Sequence, residues 1–301
     1  MQFSPPLSSP SGDPDTPIRR LSLCNDLVFK VLFSSQLPLL TDLINAVLHP
    51  APPITVRRIL NPTILPADLA SKNIVLDILA EDANGQRLGI EMQLQRFLHW
   101  PQRNIYGVAR TLASQLQSGQ DYRLLKPAIG INLLVHDLFD QHPDKACWRF
   151  TLRDEGLPTV QLDPGLQVHI IELRKAEQQT ALPAPLQAWI ACLLHNLDEA
   201  AMRTITHPPV KAALKELDKL YADEDLRLAA ERREQALVDA EDMVDYARKE
   251  ALAEMLATLL QAKFGETPAW AADRIKEGKP TDLHRWTLRI LNAQRLEDVF
   301  A

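Results

Sequence analysis

The stretch SKNIVLDILAEDANGQRLGIEMQLQ, Ser71 to Gln95, decides the fold. It reads as two strands joined by a tight turn. Ile74 to Ala80 is an aliphatic run broken by one acid, Asp77. Asn84-Gly85 supplies the turn, because both residues tolerate positive φ. From Gly89 to Gln95 the pattern alternates: Ile90, Met92 and Leu94 point one way, and Glu91, Gln93 and Gln95 the other. A carboxylate in an apolar strand is costly unless it is paired or binds a metal. Asp77 and Glu91 are therefore expected to share one site. An ordinary amphipathic hairpin with solvated acids satisfies the same alternation.

Loop parity separates the two readings. Directly opposed residues of an antiparallel hairpin share a face. A two-residue Asn84-Gly85 loop makes opposed positions sum to 169, setting Asp77 opposite Met92. A three-residue loop, Ala83-Asn84-Gly85 with Gly85 left-handed in a G1 bulge, makes the sum 168 and sets Asp77 opposite Glu91. A shared site requires the second geometry.

Outward from the hairpin, the pattern is mixed and then helical. Asp26 is the N-cap or first-turn acid of a helix running to about His49, bent or divided at Pro38. Ile54 to Leu65 reads as a strand with a break at Pro62. His99 to Gln117 reads as a helix with Pro101 in its first turn. Its apolar stripe is Ile105, Val108, Leu112 and Leu116, and Arg103, Arg110 and Gln117 lie on another side. Ala128–His136 and Val168–Leu173 are buried strands by composition, with Trp148–Leu152 between them as an edge strand. His136 and His169 are read as hydrogen-bonded structural histidines. From about Ala184 the character is helical: Leu186–Met202, then, past Pro208-Pro209, one long helix or a helical hairpin from Val210 to about Lys263. Two short helices follow from Phe264 to Phe300.

With 301 residues, 46% hydrophobic and 24% charged, the chain suits one or two soluble globular domains. No apolar run approaches the ~20 residues of a membrane span. The opening MQFSPPLSSPSGDPDTP is read as a disordered lead-in rather than a signal peptide. Cys24, Cys147 and Cys192 have no ligand-type spacing, which fits a cytoplasmic setting. The net charge of −6 speaks against a protein that coats DNA broadly. Residues 211–255 hold eight Lys and Arg against 13 Asp and Glu, five of the six excess negative charges. The rest of the chain is close to neutral, which leaves room for a basic groove near the hairpin.

Four segments together resemble the recombination-promoting nuclease / transposase family of the PD-(D/E)XK nuclease superfamily. They are NDLVFKVLF from Asn25 to Phe33, LDILAED from Leu76 to Asp82, Ile90-Glu91-Met92-Gln93, and Gly119-Gln120-Asp121-Tyr122. The likeness covers roughly residues 21 to 175. Two positions depart from the superfamily pattern: Leu76 stands for the proline before the first acid, and Gln93 for the lysine. Many members of the family carry glutamine there.

The resemblance implies an α/β fold, a restriction-endonuclease-like central mixed sheet flanked by helices, followed by a mainly α-helical C-terminal third. It divides the chain into a lead-in (1–20), a nuclease-like domain (21–180), a helical region (181–263) and a small C-terminal helical domain (264–301) similar to one of unknown function. It implies a Mg²⁺-dependent DNA endonuclease, with Mn²⁺ or Ca²⁺ as alternative ions. Asp77, Glu91 and the backbone carbonyl of Met92 would be metal ligands. Gln93 would orient water or phosphate, and Asp26 resembles the helix acid that completes such sites, unless it is simply a helix cap. Arg103 and Tyr106 match a recurring arginine-x-x-tyrosine and, with Arg110, are candidate phosphate contacts. A non-catalytic nuclease fold serving as a DNA-binding or interaction module is the alternative. No membrane partner is expected. The helical C-terminal region offers self-association as one use and packing on the nuclease-like domain as another.

Overall fold

The computed structural model of the protein describes residues 22–61, 77–195 and 204–301; the lead-in and residues 62–76, with Leu65, Ile74 and Leu76, lie outside them. Asn25, not Asp26, caps the first helix: its side chain accepts from the Leu27 and Val28 N–H groups at 3.1 and 3.3 Å. Asp26 is thus the first residue of α1 (Asp26–Ser35). With Pro38 in its first turn, α2 (Leu37–Leu48) leaves α1 at 110°. The strands and helices that follow are β1 (Val56–Ile59), β2 (Ile78–Asp82), β3 (Arg87–Gln93), α3 (Trp100–Ala113), β4 (Ala128–Leu134), β5 (Cys147–Arg153) and β6 (Gln161–Glu172).

The strands form a six-stranded mixed sheet in the order β1-β2-β3-β4-β6-β5. Neighbours β3, β4 and β6 run parallel, while β1–β2, β2–β3 and β5–β6 are antiparallel. Trp148–Leu152 does lie in an edge strand, β5. One sheet face, with Ile78, Ala80, Leu88, Ile90, Met92, Ile131 and Leu133, packs under α1, α2, α5 (Ala184–Leu194) and α6 (Pro208–Tyr221). The other face, with Ala128, Leu134, Val168 and Ile170, packs under Trp100 and Val108 of α3.

The β2–β3 hairpin has the odd loop. Ile78 pairs with Ile90 and Glu81 with Arg87, so opposed positions sum to 168. Asp82 Oδ1 accepts from the N–H groups of Asn84 (2.9 Å) and Gln86 (2.7 Å), and Gly85 takes φ +82°. A Cβ at Gly85 would meet Lys126 Cγ at 3.3 Å. Gly85→Ala is expected to destabilise the fold by about 1–2 kcal/mol, the cost of a left-handed L-residue, and Gly85→Val by more. Urea midpoints at unchanged slope measure this.

Helix α3 departs from its expected face and length. Ile105 is 58% exposed, whereas Trp100 and Val108 are buried. The helix ends at Ala113, before Leu116 and Gln117. Asn104 occupies the sheet-facing position between Trp100 and Val108 because its Nδ2 donates to Asn132 Oδ1 on β4. Gly130 lets the helix lie close: a Cβ there would stand 2.7 Å from Val108 Cγ2.

Past α4 (Leu173–Glu177) and α5 the helical region continues, with 196–203 outside the described residues. The expected long segment is two helices, α6 and α7 (Glu224–Phe264), parted where the Asp223 side chain caps the Leu226 N–H. The start of α7 packs on α1, Leu226 and Ala229 against Leu27 and Val31. Three short helices, not two, close the chain: α8 (Ala269–Glu277), α9 (Pro280–Arg289) and α10 (Leu296–Phe300). By contacts the chain divides into units 1–233 and 234–301. The second unit has its own core, in which Leu256 and Leu260 meet Ile275, Leu283, Trp286 and Phe300. Among the described residues no single helix is long and apolar enough to cross a membrane.

Candidate active site

The alternation of β3 places Ile90 and Met92 in the core and turns Glu91 and Gln93 toward α3. One turn into α3, Arg103 reaches back to both. Its Nη2 donates to Glu91 Oε1 at 2.6 Å and to Gln93 Oε1 at 3.0 Å. The Gln93 amide nitrogen donates to the Gln95 carbonyl at 2.9 Å, which fixes the orientation of the amide. The Trp100 indole N–H faces Glu91 without regular hydrogen-bond geometry.

Asp77 sits immediately before β2, one step past the last opposed pair, Ile78 and Ile90, and Glu91 feels its charge. Its carbonyl is held twice, by Lys30 Nζ from α1 at 2.8 Å and by the Asn61 side chain. Lys30 is fully buried, and burial pulls its pKa down to about 8 against the attraction of Asp77. Asp77 itself reaches solvent, but protein packed around its carboxyl pushes its pKa up; Arg103 and Lys30 oppose this and Asp26 adds to it. The Glu91 pKa is raised as well, first by burial and then by the charge of Asp77, with Arg103 opposing. Desolvation thus outweighs mutual repulsion at this pair.

Asp26, on the first turn of α1, belongs to the same electrostatic neighbourhood. Its carboxylate is gripped by a two-pronged ion pair from Arg233 on α7, Nε to Oδ1 at 2.6 Å and Nη2 to Oδ2 at 2.5 Å. The structure therefore gathers Asp26, Asp77, Glu91, Gln93 and Arg103. Tyr106, 66% exposed, and Arg110 lie farther along α3 at the surface. Lys30, Asn104, Asn132 and Arg233 join the neighbourhood, though none of them is among the candidate site residues of the sequence. For Lys30 a signal existed: it stands four residues after Asp26, on the same helical face. For Arg233, 207 residues from Asp26, none did.

His136 and His169 lie outside this cluster. His169 contacts Gln167 at 3.3 Å, and burial first, then Arg149, lowers its pKa to about 4. The His136 ring, expected to be hydrogen-bonded, faces the Leu94 backbone without regular hydrogen-bond geometry at either nitrogen. A separate buried acid, Glu172, ends β6. It accepts from the N–H groups of Leu138 (2.5 Å) and Phe139 (2.8 Å), from Trp148 Nε1 (2.8 Å) and from Lys175 Nζ (3.1 Å). Burial acts to raise its pKa, but these donors together hold it below the usual value. Glu172 is a structural anchor.

Two adjacent carboxylates form a hard-oxygen donor set suited to a divalent ion. The carbonyl of Met92, expected as a third ligand, points to the β2 side of β3. Arg87 N–H and Gln93 C=O both bond toward β4, so the main-chain groups of the intervening even-numbered residues face the β2 side. Among the described residues no three His, Cys, Asp or Glu side chains form a ready-made cage. Guanidinium groups instead stand where cationic charge is wanted, Arg103 on Glu91 and Arg233 on Asp26.

Comparison with curated proteins and with solved structures gives no significant match. A family model does match, over residues 23–247, and that span takes in the sheet, both capped acids and Arg233. Nucleases of this kind act on DNA and generally use divalent metal ions. With most of its length inside the match, the chain belongs to the PD-(D/E)XK nuclease family transposases.

Proposed function

We propose that the protein is a Mg²⁺-dependent DNA endonuclease of the recombination-promoting type, hydrolysing phosphodiester bonds. The observation that supports the reading is the odd hairpin loop, whose 168 register, continued one step beyond Ile78 and Ile90, directs Asp77 toward Glu91. Asp77, Glu91 and the Met92 carbonyl are the proposed ligands of Mg²⁺, with Mn²⁺ or Ca²⁺ as substitutes. The ion, when bound, polarises the scissile phosphate and acidifies the attacking water. Gln93, its amide fixed by Arg103 and Gln95, orients that water or a phosphate oxygen. Asp26 completes the acidic group, and Arg103, Tyr106 and Arg110 meet the DNA backbone from the exposed side of α3. Glutamine adds no positive charge to the developing dianion, so the enzyme is slower than one with lysine at position 93.

A second reading, a nuclease fold retained as a DNA-binding or interaction module, draws on the same Gln93. A plasmid-nicking assay with and without Mg²⁺, wild type against Asp77→Ala, separates the two: metal-dependent nicking lost in the variant supports the enzyme, and no nicking by the wild type supports the module. Gln93→Ala is expected to retain Mn²⁺ binding by calorimetry while nicking falls about 10²-fold, the effect of losing one positioned group. Gln93→Lys is expected to keep or improve the rate. Self-association through α7, which exposes Val238, Met243, Val244 and Tyr246, and a cytoplasmic setting matching three free cysteines, belong to this reading.

A further inference from the structure

The charges gathered at the acids single out Arg233. Asp26, Asp77 and Glu91 carry three negative charges. Lys30, Arg103 and Arg233 stand against them with three positive ones. The protein alone is therefore balanced, and a divalent ion settling on the acids leaves an excess of two positive charges. Some cation must then give way. Lys30 is fully buried and tied to the Asp77 carbonyl, so it stays. Arg103 and Arg233 have side chains 60% and 35% exposed, so both can turn outward.

Arg233 is the better positioned of the two to act as a gate. The first two turns of α7 are pinned to α1 by Leu226 and Ala229 packing on Leu27 and Val31, and by Asn25 Nδ2 donating to the Ala230 carbonyl at 3.0 Å. That anchoring fixes the backbone one turn before Arg233 and leaves its long side chain the freedom to choose an acceptor. In the protein alone the acceptor is Asp26. Once an ion lowers the charge of the acids, the planar five-donor guanidinium has a better partner in a DNA phosphate, which it matches in a two-pronged fashion.

We propose that Arg233 is a placeholder cation: it holds Asp26 until a divalent ion takes the acids, then transfers to a phosphate of the bound DNA. Ion and DNA thereby strengthen each other's binding, and the ion binds weakly until DNA arrives. Coupling of this sort is reciprocal by thermodynamic necessity. The inference rests on the proposed metal site at Asp77 and Glu91.

The test uses the full chain and Mn²⁺, with binding read by calorimetry and by the paramagnetic resonance of free Mn²⁺, with and without a short phosphorothioate duplex that keeps its charge and resists cleavage. Without DNA, Arg233→Gln is expected to bind Mn²⁺ about 5-fold or more tightly than the wild type, the low end of common coupling factors. Adding the duplex should tighten Mn²⁺ binding by a similar factor in the wild type and by much less in Arg233→Gln, with Arg233→Lys in between. On an Asp26→Asn background the Arg233→Gln effect should disappear, as a double-mutant cycle requires of a contact acting through Asp26. If Arg233→Gln folds but binds Mn²⁺ no better than the wild type, while Asp77→Asn abolishes that binding, the placeholder is overturned and the metal site stands. If wild type and Asp77→Asn take up Mn²⁺ alike, the metal site falls and this inference with it. Should Arg233→Gln fail to fold, the Asp26→Asn and Arg233→Lys proteins decide: loss of the ion–DNA coupling in the first and its weakening in the second support the placeholder, and wild-type coupling in both overturns it.

Discussion

Asp77→Ala and Glu91→Ala are each expected to remove metal-dependent plasmid nicking, by at least the ~10²–10³-fold that losing a single transition-state contact costs. Both carboxylates carry pKa values raised first by burial, so in the protein alone each ionised acid is held at a disadvantage. A carboxyl whose folded-state pKa lies above its unfolded value weakens the fold at pH values above both, where the folded protein must keep it ionised. Removing either acid at pH 7 in chelator should therefore leave the melting temperature unchanged or slightly raised. Glu91 also loses its pairing with Arg103, but that arginine is 60% exposed and such pairs contribute little. Millimolar Mg²⁺ or Mn²⁺ should raise the wild-type melting temperature by mass action and leave both variants unmoved. Identical metal responses in all three proteins would show that the acids are not ligands.

Glu172→Ala is expected to be the most damaging single change to stability. Glu172 is fully buried, and its partner Lys175 has a side chain only 8% exposed. Removing one member of a buried pair leaves an uncompensated charge and costs about 3–5 kcal/mol, here accompanied by orphaned donors at Leu138, Phe139 and Trp148. In a unit of this size that corresponds to a fall in melting temperature on the order of 10 °C. The pH dependence runs opposite to that of the active-site acids. The folded pKa of Glu172 is held below its ordinary 4.5, so its stabilisation is full above that value and drains away as pH falls through the folded pKa. Melting curves of wild type and variant should therefore approach one another below about pH 4.5. A constant separation down to pH 3 would mean that packing, not ionised Glu172, sets the loss.

The hairpin register was legible because it is local. Turn chemistry at Asn84-Gly85 left only two parities, and pairing the acids selected one of them. Strand alternation at Ile90–Gln93 was legible for the same reason. Helix α3 was harder to read, since a hydrophobic stripe assumes that sheet-facing positions are apolar. Asn104 breaks that assumption: paired with Asn132, a polar side chain sits inward and Ile105 is displaced to the surface. The grip of Arg233 on Asp26 was beyond reach, because no periodicity links positions 207 residues apart. Lys30 lies between these cases. Its spacing from Asp26 was visible, but its complete burial depends on how α1 settles on the sheet.

The missing methyl at Gly130 acts as a spacer of zero thickness. With Val108 already where a Cβ would need to be, α3 can shift away from the sheet but cannot come any nearer. The span that Arg103 must cover to Glu91 and Gln93 is therefore read off against a hard stop in the packing, several residues away from any reacting group. Any side chain at that stop lifts the helix, so the error is passed along a rigid rod to the guanidinium, and a residue that never meets DNA sets the calibration of the one proposed to do so.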